Sequence, residues 1–138
     1  MYLYSFGIIY GCTLTQTAME KKILVLDDDE GILDVVSFIL EDTGFIVKTL
    51  SSGEAIFDEI KLFHPDLVLM DIMLADMDGR IICQQLKSNA ETEALPVILI
   101  SASHNVSESL KQSGAPNDFI AKPFDVEFLI SKVKNQLS

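Results

Sequence analysis

The chain has 138 residues, with 21 Asp and Glu against 10 Lys and Arg and a formal net charge of -11. This length suits a single domain with one hydrophobic core. The negative charge disfavours direct binding to nucleic acids and to anionic membranes, because both need a positive protein surface. No stretch reaches the roughly 18 apolar residues of a membrane span, so membrane insertion is not expected.

The first 19 residues differ in composition from the rest of the chain. Residues 1–18 carry no charged side chain and mix aromatic residues with Thr and Gly. A secretory signal peptide needs a positively charged amino-terminal region, which this segment lacks. We therefore expect residues 1–19 to be a poorly ordered extension, or an upstream stretch translated ahead of Met19, and residues 20–138 to form the folded domain.

The two cysteines, Cys12 and Cys83, are far apart and form neither a C-x-x-C pair nor a zinc-binding spacing. Unpaired thiols are typical of reducing compartments. The sequence therefore predicts a cytoplasmic protein that binds no metal through sulfur.

Short apolar runs and helical periodicities alternate from residue 22 onwards. Residues 23–26 are typical of a buried strand, and the helix that follows them ends at Gly44. Residues 45–50 are predicted to form a second strand. The pattern Ser51-x-x-Glu54 is a capping box, which predicts a helix from there to about residue 62.

The next predicted strand covers residues 66–71 and follows the break at His64-Pro65. Its four consecutive apolar residues indicate a strand that is covered on both faces. Such a strand delivers the carboxylate of Asp71 to the carboxyl edge of the sheet, where open α/β sheets bind ligands. A loop over residues 72–78 then leads to a helix from Gly79 to about residue 87.

The remaining elements continue the alternation. Residues 97–101 form the predicted fourth strand, residues 106–112 a weaker helix and residues 118–121 a short fifth strand. The last helix begins after Asp125, which is expected to be its N-cap. Five alternations predict an α/β domain with a parallel sheet and helices on both faces.

Polar side chains follow four of the five predicted strands. They are Asp27 and Asp28 after the first strand, Asp71 after the third, Ser101 after the fourth and Lys122 after the fifth. Because parallel strands end at the same edge of a sheet, we expect these groups to converge. Three carboxylates together repel one another unless a cation is present, and an incomplete cage of oxygens suits Mg²⁺. The hydroxyl and the ammonium group could hold the oxygens of a phosphoryl group on Asp71.

Four motifs in this order make the sequence resemble the receiver domain of two-component response regulators, over about residues 21–138. They are the first strand with Asp27-Asp28, Asp71 with Met77-Asp78-Gly79, the run from Pro96 to Ala102, and Phe119-Ile-Ala-Lys122-Pro123-Phe124. Each motif is weak alone, and the four together are very specific. The resemblance implies a CheY-like, doubly wound fold with five parallel strands in the order 2-1-3-4-5.

The resemblance also implies a role for each group at the sheet edge. Asp71 would be the phosphoacceptor, Asp28 would bind Mg²⁺ directly, and Asp27 would bind it through water or support the site. The Met73 backbone carbonyl would complete the protein ligands of the metal. Ser101 and Lys122 would contact phosphoryl oxygens.

The switch and the partners follow from the same resemblance. Phe119 matches the aromatic residue that reports phosphorylation together with Ser101, and the Lys122-Pro123 bond is expected to be cis. The phosphoryl donor would be a sensor histidine kinase or a histidine phosphotransfer protein, and the downstream effector is not indicated. A stand-alone signalling protein is expected, with at most slow self-dephosphorylation rather than enzymatic turnover. Ala75 departs from the usual proline, and residues 114–118 form a loop one residue longer than is common.

Three other functions remain as alternatives. A phosphatase of the haloacid dehalogenase type needs a second aspartate two residues after its nucleophile, where this chain has Met73. A flavodoxin-like electron carrier needs a Ser/Thr/Gly-rich phosphate loop, where this chain has three consecutive aspartates from Asp27. A pseudo-receiver would share the fold and never take up phosphate.

Further acidic residues at two places in the chain, Asp29 with Glu30 and Asp76 with Asp78, invite different explanations. Asp29 is expected to begin the first helix, because acidic residues favour that end of the helix dipole. Asp76 and Asp78 could belong to an EF-hand calcium loop, but two positions that need acidic residues hold Leu74 and Gln85. Calcium binding is therefore not expected at this loop.

Overall fold

The computed structural model describes residues 20–102 and 114–138. The predicted extension at residues 1–19, Cys12 and the predicted helix at residues 106–112 lie outside the described residues. Within the described ranges, no helix is both long enough and apolar enough to cross a membrane.

The core of the fold is one sheet of five short strands. They are β1 (Lys22–Leu26), β2 (Ile46–Leu50), β3 (Leu67–Asp71), β4 (Val97–Ser101) and β5 (Asp118–Ala121). All neighbouring pairs are parallel, and the strand order is β2-β1-β3-β4-β5. The predicted sheet, its order and its direction are confirmed.

Helices cover both faces of this sheet, as predicted. In the described ranges they are α1 (Glu30–Thr43), α2 (Ile56–Phe63), α3 (Gly79–Lys87) and α4 (Val126–Leu137). Buried residues of α2 and α3 pack on one face with Leu24, Met70 and Leu99. Buried residues of α1 and α4 pack on the other face with Val25, Leu69 and Ile98. The central strands are apolar throughout because both of their faces are covered.

The helix termini follow simple capping chemistry. Asp29 caps α1 by accepting hydrogen bonds from the Gly31 and Ile32 amides, and Asp125 caps α4 through the Phe128 amide. These two predictions are confirmed. Gly44 ends α1 with a φ of 111°, a left-handed conformation that favours glycine.

The predicted capping box at Ser51 and Glu54 is wrong. The cap is Ser52, whose side chain accepts a hydrogen bond from the Glu54 amide. A short 3₁₀ turn, Gly53–Ala55, follows, and α2 begins only at Ile56. The hydroxyl of Ser52 also donates to Asp76 at 3.0 Å, so a contact distant in sequence favours Ser52 as the cap.

The Lys122-Pro123 peptide bond is cis, as the resemblance implies. Cys83 is a free thiol buried in α3. Burial raises the pKa of this thiol to about 11, although the nearby charge of Lys87 acts in the opposite direction. The thiol is therefore protonated at neutral pH and packs as part of the apolar core.

Replacing Leu69 by Ala tests how strongly β3 depends on its covered faces. Leu69 is fully buried between Val25 and Ile98 of the neighbouring strands. We expect its truncation to lower the free energy of unfolding by about 2–5 kcal/mol, because a cavity remains in the core. The measurement is urea unfolding followed by circular dichroism.

Leu62→Ala is the matched control, because Leu62 lies on α2 with 77% of its surface exposed. Its effect should stay within about 0.5 kcal/mol. Equal effects of the two truncations would contradict the packing described for β3.

Candidate functional site

Three polar residues are buried at the carboxyl edge of the sheet. Asp27 is 1% exposed, Asp71 is 7% exposed and Ser101 is 2% exposed. Asp71 and Ser101 are the last residues of β3 and β4, and Asp27 directly follows β1, which pairs with β3. The structure therefore brings together groups that are up to 74 residues apart in the sequence.

Backbone hydrogen bonds extend the sheet beyond its last residues and fix this edge. The first residue after a strand donates its amide to the end of the neighbouring strand. The three such bonds are Asp27 N to Leu50 O at 3.1 Å, Ile72 N to Ile100 O at 3.0 Å and Lys122 N to Ser101 O at 2.8 Å. The functional side chains thus start from backbone that the sheet holds in place.

The carboxylates of Asp27, Asp28 and Asp71 form a compact cluster. One oxygen from each lies within 4.8 Å of the other two, and Asp28 is the exposed member. Asp27 Oδ1 accepts a hydrogen bond from the Asp29 amide at 2.9 Å. Asp27 Oδ2 is buried and accepts no hydrogen bond from the described residues. This oxygen therefore needs a cation beside it.

The ammonium group of Lys122, the residue directly after β5, lies in the same cluster. Its Nζ lies 3.2 Å from Asp71 Oδ2, which is a hydrogen bond as well as an ion pair. It lies 3.6 Å from Asp27 Oδ2, which is an ion pair too long for a hydrogen bond. One ammonium group thus serves two buried carboxylates.

The electrostatics of Asp27 reflect this crowding. Burial raises the pKa of its carboxyl group above the usual range, and the neighbouring charges of Asp71 and Asp28 act in the same direction. The hydrogen bond from the Asp29 amide and the charge of Lys122 lower the pKa in opposition. Because the pKa is raised, burial and the neighbouring carboxylates outweigh the Asp29 amide and Lys122, and the ionised form of Asp27 is disfavoured.

Phe119 lies on the β5 side of this site. It is partly buried and packs against the apolar cluster beneath α2 and α3. It is paired with Leu99 in the register of β4 and β5, two residues before Ser101. The structure therefore places Phe119 and Ser101 on neighbouring strands, two register positions apart.

The sequence matches the family described as the response regulator receiver domain over residues 23–134. The chain belongs to this family. The receiver domain is a signalling module of two-component systems, and response regulator receiver domains interact with histidine kinases or phosphotransfer proteins.

Individual relatives show the same similarity. The receiver domain is 35% identical over 118 residues to the DNA-binding dual master transcriptional regulator RpaA of Synechocystis sp., a match that covers 82% of this chain. The chain spans about half the length of that relative, since the match covers 47% of it.

Solved structures agree with the fold. A crystal structure described as a putative response regulator from Chloroflexus aurantiacus is 28% identical, with a TM-score of 0.78 over 86% of this chain and 98% of that one. The signal receiver domain of a histidine kinase from Syntrophus aciditrophicus is 31% identical, with a TM-score of 0.77 over 85% and 89% of the two chains.

Receiver domains bind Mg²⁺ at an acidic pocket, and the residues of this one fit such an ion. The cluster offers oxygen ligands, which Mg²⁺ prefers. Three carboxylates and one ammonium group leave a formal charge of about -2, and Asp27 Oδ2 accepts no hydrogen bond from the described residues. A divalent cation would neutralise this charge.

The loop after β3 belongs to the site through its backbone. The Met73 amide donates to Asp71 Oδ1 at 3.2 Å, so the loop holds one oxygen of this carboxylate while Lys122 holds the other. Met73 itself is 75% exposed, in contrast to Asp71, which is buried. Met73 also forms an isolated bridge with Asp78 across the loop.

Two acidic residues of this loop accept hydrogen bonds from amides at the start of helical segments. Asp78 caps α3 through the Arg80 amide, and its hydrogen bonds with the Arg80 guanidinium lower the pKa of its carboxyl group. Asp76 accepts hydrogen bonds from the segment before α2. These bonds join segments 22 to 24 residues apart, so the local sequence around Asp76, which suggested only a calcium ligand, gives no sign of them.

Gly79 belongs to one of the four motifs that carry the resemblance, but its close packing against β3 was not predicted. A Cβ atom at this position would lie 2.4 Å from the carbonyl oxygen of Asp71 and 3.0 Å from Ile72 Cα. The Gly79 amide donates to the Ile72 carbonyl at 2.8 Å. The close approach of α3 to the end of β3 therefore requires glycine. Its place directly after Asp78, the N-cap, was the available signal.

Replacing Gly79 by Ala should displace the backbone of Asp71. The three nearest atoms to the added methyl group are all backbone atoms, which cannot rotate away. We expect the free energy of unfolding to fall by about 1–3 kcal/mol, as in other overpacked sites. Urea unfolding measures the loss.

Gly31→Ala provides the control, because Gly31 also lies in the first turn of a helix. Its added methyl group would meet only the Asp29 carboxylate, at 3.2 Å. Alanine favours the helix by up to about 1 kcal/mol relative to glycine, which should offset the cost of this contact. The free energy of unfolding of Gly31→Ala should therefore stay close to that of the wild type. A Gly79→Ala variant as stable as the wild type would show that the approach of α3 is not tight.

Proposed function

We propose that this receiver domain accepts a phosphoryl group on Asp71 from a phosphohistidine of a sensor kinase or phosphotransfer protein. One observation carries the proposal: Asp71 and Asp27 are buried together, and the Lys122 ammonium group lies 3.2 Å and 3.6 Å from their oxygens. Its proposed place of action is the cytoplasm, where the predicted unpaired thiols would stay reduced.

The proposed metal ligands are the carboxylates of Asp27, Asp28 and Asp71 and the backbone carbonyl of Met73. The bound ion would supply charge neutralisation for the phosphoryl oxygens. Asp28 is the exposed member of the carboxylate cluster, so it is accessible to an ion that keeps several waters. Asp27 Oδ2 is a buried oxygen that accepts no hydrogen bond from the described residues.

The chemistry is a displacement at phosphorus. An oxygen of the Asp71 carboxylate forms a bond to phosphorus while the bond from phosphorus to the donor's imidazole nitrogen breaks, and the electron pair of that bond stays on nitrogen. The product is an acyl phosphate. The Met73 amide and Lys122 hold the carboxylate in place, so catalysis consists of positioning and electrostatic stabilisation.

After transfer, Lys122 and Ser101 would contact the new phosphoryl oxygens. The dianion would draw Ser101 towards it, and the ring of Phe119 would move into the space beside β4. Phe119 already packs at the edge of the apolar cluster, so its movement would change the surface around β5. The changed surface would alter partner binding, or the phosphoryl group would pass to a second histidine.

A phosphorylation assay tests the role of Asp71. Incubation with acetyl phosphate and Mg²⁺ should give a single acid-stable, base-labile phosphoryl adduct, detected by intact-mass spectrometry. Asp71→Asn and chelation of Mg²⁺ should each abolish it. Asp42→Asn, which changes an exposed carboxylate on α1, should leave the adduct unchanged.

Two outcomes would contradict this proposal. A wild-type protein without an adduct would identify a pseudo-receiver. A catalytic release of inorganic phosphate many times the protein concentration would favour a phosphatase.

Nuclear magnetic resonance tests the switch. Phosphorylation, or addition of beryllofluoride as its mimic, should shift the signals of Ser101 and Phe119. Phe38, which is 71% exposed on α1, is the internal control and should keep its signals. Unchanged signals of Phe119 in a fully phosphorylated sample would contradict the proposed switch, but not the proposed role of Asp71 as phosphoacceptor.

A further inference from the structure

The carboxylate of Asp76 joins two loops at the functional edge of the sheet. It accepts hydrogen bonds from the Ser52 hydroxyl at 3.0 Å, the Gly53 amide at 3.2 Å and the Glu54 amide at 3.2 Å. These donors lie just after β2, whereas Asp76 lies in the loop after β3. We call these three contacts the Asp76 clamp.

The Asp76 clamp is tight because Gly53 permits it. Gly53 is buried, and a Cβ atom there would lie 2.9 Å from Ile82 Cδ1 and 3.2 Å from Met77 Sδ. The loop after β3 therefore packs directly onto the start of the 3₁₀ turn. The hydrogen bond from the Gly53 amide is the largest cause that lowers the pKa of the Asp76 carboxyl group, so the clamp favours the ionised form.

The two ends of the clamp are both connected to the functional site. On one side, the β2 carbonyl of Leu50 accepts the hydrogen bond of the Asp27 amide. On the other side, Met73 of the same loop donates its amide to Asp71 Oδ1. β1 lies between β2 and β3 in the sheet, so the clamp spans the strand that delivers Asp27.

We propose that Asp76 is a positioning residue of the site: its clamp fixes the loop after β3 and so holds the Met73 amide and carbonyl at Asp71. The inference rests on the proposed function, because the Met73 carbonyl is a proposed Mg²⁺ ligand. Asp76 itself binds neither the ion nor the phosphoryl group. It acts through Met73.

The test compares Asp76→Ala with Asp76→Asn. Alanine removes all three acceptor contacts, whereas asparagine keeps a carbonyl oxygen for the amides and is a good cap. We expect Asp76→Ala to weaken Mg²⁺ binding about threefold to tenfold, at or below the low end of the range for residues that support metal ligands. Asp76→Asn should restore most of the affinity. Isothermal titration calorimetry with MgCl₂ measures both.

A second readout needs no metal. In metal-free protein, the Met73 amide signal should shift in Asp76→Ala, because its hydrogen bond to Asp71 loosens, and return towards the wild-type position in Asp76→Asn. Asp58→Ala is the matched control for charge, since Asp58 is an exposed carboxylate in the first turn of α2. It should change neither the affinity nor the Met73 signal.

Each other outcome is decisive. Equal weakening in Asp76→Asn or in Asp58→Ala would identify a general effect of charge and overturn the clamp. Normal Mg²⁺ affinity and an unmoved Met73 signal in folded Asp76→Ala would also overturn it. The wild-type protein could bind no Mg²⁺ while the Met73 signal still responds to Asp76→Ala. This outcome would contradict the proposed metal site but support the role of Asp76 in positioning Met73.

Discussion

The burial of two carboxylates beside one ammonium group is the constraint on which the rest of the structure depends. With an effective dielectric constant of 20, two unit charges 4.8 Å apart interact by about 3–4 kcal/mol. Lys122 therefore offsets the repulsion between Asp27 and Asp71, but a third carboxylate at Asp28 leaves the cluster negative. Such a site persists only on a rigid support, since mobile side chains would separate and take up water.

The sheet supplies this support in two ways. Its central strands are buried on both faces by four described helices, so their ends cannot move independently of the core. The loops after β1, β3 and β5 also begin with an amide that continues the hydrogen-bond ladder of the neighbouring strand. The strands thus determine the positions of the side chains at this edge. Gly79 adds a third restraint, because α3 lies against the Asp71 carbonyl.

Seven aspartates that the structure describes fall into two groups according to their partners. Asp29, Asp78 and Asp125 face helix amides, which satisfy and stabilise their negative charge. Asp76 does the same before α2, where it also joins two loops. Asp27, Asp28 and Asp71 lie close to one another. Lys122 forms ion pairs with Asp27 and Asp71, and each of these two also accepts one backbone hydrogen bond. The aspartates of the functional site therefore differ from the structural aspartates in lying close to other carboxylates, since both sets are equally acidic residues.

The sequence by itself determined the strands, the sheet edge and the identity of the groups that meet there. It could do so because apolar runs and helical periodicity are local signals, and because parallel strands place their carboxyl ends together. Only the tertiary structure decided that Ser52 caps the turn before α2, that Asp76 binds this segment, and that Gly79 touches the Asp71 carbonyl. These contacts join loops that local patterns treat separately, so their geometry depends on how the packed elements bring the loops together.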